Sequence, residues 1–354
     1  MLEFKRVLVT GGAGFIGSNF VRHSLARHPE WQIVVLDKLT YAGNLENLAG
    51  LVTQPCEQAP PGGGRVHFIH GDIAEPQDVA RAAEATQGID AIINFAAESH
   101  VDRSLLDARQ FVRTNVEGTL VLLEHARKAG LKRFLQISTD EVYGDLSGTD
   151  RRSVESDPVR PRNPYAATKA AAEHLVFSYG VSYGLDVVIT RGSNTYGPYQ
   201  CPEKIIPLFI TNAIDGRPLP LYGRGHAFRD YLSVADHCAG IDLVLHAGAA
   251  GLAYNLGALL EIPGVEVAER ILKLLNRPAS LVRFVKDRPG HDCRYAVDPL
   301  QAERLGWQRA QTWPDGLADV VQWYVANEGW WRRMKDRPAF QSHDNAWHSA
   351  GQRR

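Results

Sequence analysis

Cysteine is scarce and scattered. Of 354 residues, four are cysteine (Cys56, Cys201, Cys238 and Cys293), and no two form a CxxC pair. That spacing argues against a disulfide framework and a thiolate metal centre, so reduced thiols and no metal site are expected. Long apolar runs are missing too: none approaches the roughly 20 residues a membrane helix needs. Neither sign of charge dominates. With 39 basic and 40 acidic residues the formal net charge is −1, and no basic block stands out, so no nucleic-acid partner is expected. There is no internal repeat. Met1–Arg6 leads into a short strand and a glycine loop rather than a signal sequence, so a cytoplasmic protein is expected. What remains, 44% hydrophobic and 22% charged, suits a soluble chain with one large or two modest cores.

The first positive signal is Val7–Thr10, a buried strand, followed at once by Gly11-Gly-Ala-Gly14-Phe-Ile-Gly17 and a helix over Ser18–His28. Gly11, Gly14 and Gly17 permit a tight turn, a close approach to a pyrophosphate and close helix–strand packing, while the helix N-terminus favours phosphate charge. A second strand, Ile33–Leu36, ends in Asp37. An acid there accepts hydrogen bonds from a ribose diol and repels a 2′-phosphate, so NAD is expected over NADP, unless Asp37 is only a solvated loop residue. Further strands are expected at Val66–His70, Ala91–Phe95, Phe134–Ile137 and Asp186–Thr190, with helices at Phe111–Ala129 and Ala166–Tyr183. This alternation predicts an α/β fold: a doubly wound parallel (Rossmann) sheet with a smaller C-terminal substrate domain. Asp72-Ile73 and Ala96-Ala97 follow strand ends and should border the cofactor. Gln54–Arg65 reads as a surface loop.

The chemistry is expected at Ser138-Thr139-Asp140-Glu141-Val142-Tyr143-Gly144, where a strand ends in a hydroxyl pair and two adjacent carboxylates. Open parallel sheets bind ligands just beyond the carboxyl ends of their strands. Tyr165 and Lys169 are four apart on the next helix and share a face. A neighbouring ammonium favours the phenolate, making Tyr165 a candidate base, although the same pair also suits an ordinary helix surface. Adjacent residues on an extended strand point to opposite faces, so both carboxylates reach one substrate only if the chain curls after Thr139; otherwise one is a helix N-cap.

After Arg191 the chain is rich in turns. Lys204, Arg229, Arg288 and His291 recur in loops, as solvated charges or as a cluster converging on a diphosphate. Tyr222 is a candidate for stacking on a base, or a core aromatic. The division expected is residues 1–190 for the cofactor, with a return around 231–257, then 191–230 and 258–335 for the substrate, and a polar tail at 336–354.

Residues 4–330 resemble an extended short-chain dehydrogenase/reductase, and specifically the dTDP-glucose 4,6-dehydratases. The resemblance rests on Asp37–Asn44, Ala96–Arg103, Ser138–Gly144, Tyr165–Lys169, Pro202–Pro207 and Asp287–Asp292, with the Asp140-Glu141 pair the most specific. Thr195, Ser233 and Ala235 depart from the family pattern, and the Gln54–Arg65 loop is longer than expected. The resemblance implies NAD bound by Gly11, Gly14, Phe15, Ile16, Gly17, Asp37, Lys38, Leu39, Thr40, Asp72, Ile73, Ala96, Ala97, Ser99, Tyr165 and Lys169. It implies a nucleoside diphosphate-glucose held by Ser99, Thr139, Asn194, Lys204, Ile205, Pro220, Tyr222, Arg229, Asn255, Arg288 and His291. Tyr165, with Lys169 and Thr139 around it, is then the base at the 4-hydroxyl, Glu141 the base at carbon 5, and Asp140 the acid for the departing 6-hydroxyl. A homodimer paired through the helices of 111–129 and 166–183 is implied as well. A sugar-nucleotide epimerase or decarboxylase on the same scaffold, or a non-catalytic NAD-binding regulator, are the rival readings.

Overall fold

The computed structural model describes residues 2–52, 64–287, 292–338 and 340–341. Six strands alternate with helices: β1 (Arg6–Thr10), β2 (Gln32–Asp37), β3 (Val66–His70), β4 (Ala91–Asn94), β5 (Arg133–Thr139) and β6 (Val187–Gly192). Beyond them come β7 (Asn194–Tyr196), β8 (Leu219–Tyr222), β9 (Phe228–Ser233), β10 (Leu252–Leu256), β11 (Glu261–Pro263) and β12 (Val282–Val285). Seven strands form one parallel sheet in the order β3-β2-β1-β4-β5-β6-β10. The remainder form a three-stranded sheet, β11-β9-β7, and a two-stranded one, β12-β8.

Side-chain alternation along the strands fixes the layers. Val7, Val9, Ile33, Val35 and Leu135 face the helices Phe15–Arg27 and Val234–Ala247, meeting Phe20, Val21, Ile241 and Leu245. Leu8, Val34, Leu36, Ile92 and Phe134 face the other way, onto Val79, Leu122, Leu123 and Val176. A third core fills the smaller domain around Phe209, Ile271, Trp313, Tyr324 and Trp331. A register slip of one residue would swap every side chain between the two packed faces and misfit both close-packed cores, so the register is strongly determined.

Two expected boundaries shift. The Phe111–Ala129 stretch is interrupted: Val112–Gly118 is a wider π-helical turn before the α-helix Thr119–Ala129. Within that turn the Asn115 amide reaches inward, donating to the Glu98 carbonyl at 3.0 Å and to Thr168 Oγ1 at 2.9 Å. The strand pairing returns to the large sheet after β9, because β9 pairs with β7 and β11, while the helix Val234–Ala247 packs on the large sheet and β10 joins it. Finally, the tail beyond Gln341 and most of the 54–65 loop lie outside the described residues. The helix Glu328–Lys335 and Arg337 just beyond it dock on the first domain, with Trp330 Nε1 donating to Asn47 Oδ1 and Arg337 to the Gly43 carbonyl.

Candidate active site

Strand order reverses between β1 and β4, and a crevice opens there above the carboxyl ends of the strands. Two glycines shape its floor. Gly11 has φ +66°, and a Cβ on it would lie 2.6 Å from the Ala96 nitrogen; a Cβ on Gly17 would lie 2.4 Å from the Gly11 carbonyl. The helix Phe15–Arg27 that follows carries no side-chain cap, so its first N–H groups are left for an anion. Asp37 stands at the end of β2, each oxygen accepting one backbone N–H, from Ala13 at 2.9 Å and Leu39 at 2.8 Å. A carboxylate has lone pairs for about four hydrogen bonds, so two places remain for a ribose diol. Burial raises the Asp37 pKa, and the two backbone donors oppose that. The glycine cradle, open helix end and buried acid fit a dinucleotide.

The crevice brings together Gly11, Gly14, Phe15, Ile16, Gly17, Asp37, Lys38, Thr40, Asp72, Ile73, Ala96, Ala97, Ser99, Tyr165, Lys169 and Lys204. Leu39 is not in that lining. It takes φ +54° and packs on the sheet core, acting through its backbone donation to Asp37. Lys38 and Arg113 both bind Asp72 Oδ2, at 2.8 and 2.6 Å.

At the end of β5 the chain does curl. Thr139 caps a 3-10 turn over Asp140–Tyr143, its hydroxyl accepting from the Glu141 nitrogen at 3.3 Å and donating to Asp140 Oδ1 at 3.2 Å. Gly144, at φ +81°, ends the turn against the Arg160 carbonyl. The two carboxylates are thereby placed in unlike surroundings. Asp140 Oδ2 is buried without a hydrogen-bond partner, and burial, then the charges of Glu141 and Asp230, raise its pKa well above the ordinary carboxylate value. Glu141 is half-buried and accepts from Asn163 Nδ2 at 3.3 Å. Asn163 in turn caps the helix Pro164–Tyr183, accepting from the Ala166 nitrogen at 2.8 Å, and so ties Glu141 to the turn that presents Tyr165.

One expectation needs correcting. Burial, then the Glu141 charge, push the Tyr165 phenol well above its ordinary pKa, and the Thr139 hydrogen bond only partly opposes this. Lys169 does not offset it. Its buried ammonium donates to the Ile137 carbonyl at 2.5 Å, and burial lowers its own pKa to about 8. In the protein without cofactor, burial therefore favours the phenol over the phenolate.

On the substrate side, Asn194 has its amide oxygen buried and unpartnered. Arg229 lies close enough to Asp140 to oppose its pKa rise, and stacks on Tyr295 at 4.7 Å. Lys204 donates to the Ser99 carbonyl at 3.1 Å, and the helix Ile205–Ile214 begins without a side-chain cap. Pro220 and Tyr222 lie on β8. Arg288 and His291 lie outside the described residues. Asn255 does not open onto the site: it is wholly buried, with its amide donating to the Ser153 and Asp298 carbonyls and accepting from Tyr143.

The family model for GDP-mannose 4,6 dehydratase matches residues 8–320. A dTDP-glucose 4,6-dehydratase of Streptomyces niveus is 48% identical over 335 residues, 93% of this chain and 96% of the relative. One of Neisseria meningitidis serogroup B is 45% identical over 351 residues, again 93% and 96%. This chain belongs to the dTDP-glucose 4,6-dehydratase family. The likeness extends to structure. The crystal structure of the dTDP-glucose 4,6-dehydratase from Streptomyces venezuelae, solved with NAD bound, superposes with a TM-score of 0.87 at 48% identity, covering 93% of this chain and all of that one.

For a dehydratase of this family, several groups around the site carried no local signal. Asn163 reads locally only as the cap of the next helix and Asn115 as a single polar residue; their partners across the site lie 22 and 17–53 positions away. Tyr41 donates or accepts only through contacts across the crevice: its hydroxyl accepts from the Ser99 nitrogen at 3.2 Å, and Arg103, paired with Glu203, stacks on its ring at 4.1 Å. That stack joins the first domain to the 201–204 segment over the cofactor groove. Thr10, Asn94 and Gln136 form a buried polar ladder across β1, β4 and β5, at 2.6 and 2.9 Å, stiffening the strand ends beneath it.

Proposed function

We infer that this chain converts a nucleoside diphosphate-glucose, with dTDP-glucose preferred, into the 4-keto-6-deoxy sugar nucleotide. Support comes chiefly from one observation: a single 3-10 turn presents two carboxylates beside Tyr165, one buried with an unpartnered oxygen and the other half-buried. When bound, NAD supplies a hydride acceptor for carbon 4, the donor that later reduces carbon 6, and a positive ring charge. Tyr165 would take the proton of the 4-hydroxyl as phenolate, a form that the positive ring charge of bound NAD would favour against the burial that opposes it, with Thr139 hydrogen-bonded beside it and the Lys169 ammonium on the same helix face. The 4-ketone acidifies the hydrogen on carbon 5, which Glu141 removes while Asn163 holds its carboxylate. Asp140, kept protonated by burial and by its neighbour's charge, protonates the departing 6-hydroxyl.

The test is product identity. NMR of the reaction with dTDP-glucose should show a 4-keto-6-deoxy sugar with one solvent deuteron at carbon 5. A 4-epimer with carbon 6 still hydroxylated would replace this reading with the epimerase. Protein purified without added cofactor should release mainly NAD on denaturation, and mainly NADP would refute the role of Asp37. UDP-glucose should turn over more slowly than dTDP-glucose; equal rates would remove the base preference.

The assembly we propose is a homodimer. Leu106, Val112 and Val181 are 61%, 52% and 89% exposed on or beside the helices 109–129 and 164–183, apolar surface that a second copy would cover. A monomer mass by light scattering at micromolar concentration would overturn it. No helix among the described residues is long and apolar enough to cross a membrane, and with Cys201 and Cys238 as free, buried thiols the cytoplasm is the setting we propose.

A further inference from the structure

At the opposite end of the large sheet from the crevice, three histidines surround one carboxylate. Asp242 and His246 are one turn apart on the helix Val234–Ala247; His23 lies on the helix Phe15–Arg27, and His28 caps its end. His28 Nε2 is 2.8 Å from Asp242 Oδ1, His246 Nε2 is 3.5 Å from the same oxygen, and His23 Nε2 is 3.3 Å from Oδ2. Among the described residues, His28, Asp242 and His246 are the one group of three metal-ligating side chains whose donor atoms all lie within 4.8 Å of one another. We propose that they bind a divalent transition-metal ion of the zinc class.

The tautomer of His246 carries the argument. Its Nδ1 lies 2.7 Å from the Leu2 carbonyl, which can only accept, so Nδ1 bears the hydrogen. In the neutral ring Nε2 then holds a lone pair, and this atom is buried, has no hydrogen-bond partner, and faces the Asp242 carboxylate. Two lone pairs in opposition call for a cation between them. Distances suit one. Zinc bonds to imidazole nitrogen and carboxylate oxygen at about 2.0–2.2 Å, which puts tetrahedral ligand atoms about 3.3 Å apart, and the observed 2.8 and 3.5 Å bracket that value. Nitrogen and oxygen donors, without sulfur, match zinc, cobalt or nickel better than a soft ion. Outer partners are in place as well: the Leu2 carbonyl orients His246, His23 holds the free carboxylate oxygen, and Trp31 stacks on the His28 ring at 4.1 Å. Three protein ligands leave a fourth position for water. The ion would clip the start of the chain, the end of the first helix and the helix Val234–Ala247 together, away from the reacting groups.

The competing occupant of the gap is a proton, giving an imidazolium–carboxylate clamp. Isothermal titration of untagged, chelator-treated protein with zinc chloride separates the two. One site per chain with Kd at or below the micromolar range is expected, and tetrahedral cobalt bands should appear in the visible spectrum when cobalt replaces zinc. His28→Gln and His246→Gln should each weaken the site at least tenfold, while a double change of His343 and His348 to Gln in the tail should leave it intact. Zinc at about 100 times Kd should raise Tm by a few degrees in wild type and in neither ligand variant. Should a ligand variant misfold, the cobalt spectrum of the wild type decides: octahedral, weak bands overturn the site. Absence of saturable zinc binding, or binding lost only in the tail variant, overturns it too and leaves the proton clamp.

Discussion

The two domains build their shares of the site by different routes. In the cofactor half most of the candidate groups lie within a few residues of a strand end: Gly11 after β1, Asp37 closing β2, Ala96 after β4, Thr139 closing β5, with Tyr165 and Lys169 on the following helix. The smaller half has no such continuity. Its three-stranded sheet joins β7, β9 and β11, pieces drawn from residues 194–196, 228–233 and 261–263. Wholly buried Asp230 shows how they are joined: it accepts from the nitrogens of Ala258 and Leu260, at 2.9 and 2.8 Å, and so fixes β9 to the segment leading into β11. One half is held by local backbone geometry, the other by contacts between distant segments. Damage to the first should therefore appear in cofactor chemistry, and damage to the second in substrate affinity.

The largest effects are expected at the junction of the two halves. Tyr165→Phe should abolish NADH formation on mixing with substrate. Glu141→Gln should permit that oxidation and accumulate bound NADH, losing exchange of the carbon-5 hydrogen. Asp140→Asn should retain both and slow loss of the 6-hydroxyl. Acid or base groups are typically worth ~10²–10⁴ in rate, so single-turnover absorbance will resolve the three. Identical silent traces for Glu141→Gln and Tyr165→Phe would break the division of roles.

Gly11→Ala comes next. It forces a side chain onto φ +66° and a Cβ to 2.6 Å from Ala96. A loss of about 1–3 kcal/mol of stability is expected, with NAD content falling in step. Unchanged NAD content would mean that the turn is not the pyrophosphate cradle.

Asp230→Asn tests the other half. Its amide nitrogen must face one of two backbone donors, so a buried N–H is left unsatisfied, costing about 1–3 kcal/mol. KM for the sugar nucleotide should rise while NAD content holds. If NAD content fell equally, the two halves would not be separable.

The smallest effect is a pH dependence. Burial lowers the Lys169 pKa from 10.5 to about 8, so between those values the unfolded chain holds a proton that the folded one does not. Stability contributed at this site is lowest below pH 8 and recovers as pH rises toward 10.5. The stability advantage of Lys169→Met over wild type, measured by urea unfolding, should shrink across that window; a constant advantage would mean Lys169 is not desolvated.

Much of this protein was legible in the chain. Strand positions, the glycine loop, Asp37, the Asp140-Glu141 pair and Tyr165 with Lys169 are contiguous patterns, because a parallel strand buried on both faces and a turn that must approach a phosphate each restrict residue type locally. Other decisions needed the folded molecule. Whether adjacent carboxylates could face one substrate depended on the 3-10 turn at Asp140–Tyr143, and the upward shift of the Asp140 pKa depended on its burial. Asn255 was spent inside the core, burial and the Glu141 charge raised the Tyr165 pKa, and Asn163 became the brace of Glu141, each because of neighbours far away in sequence. The histidines around Asp242 make the same point most plainly: His23 and His28 lie 219 and 214 residues from it, and no window of sequence contains them together. Hydrophobic period and turn chemistry are properties of neighbouring residues and are written in the chain. Burial, charge pairing and the resulting protonation states are set by the residues tertiary packing brings alongside, and exist only once the chain has folded.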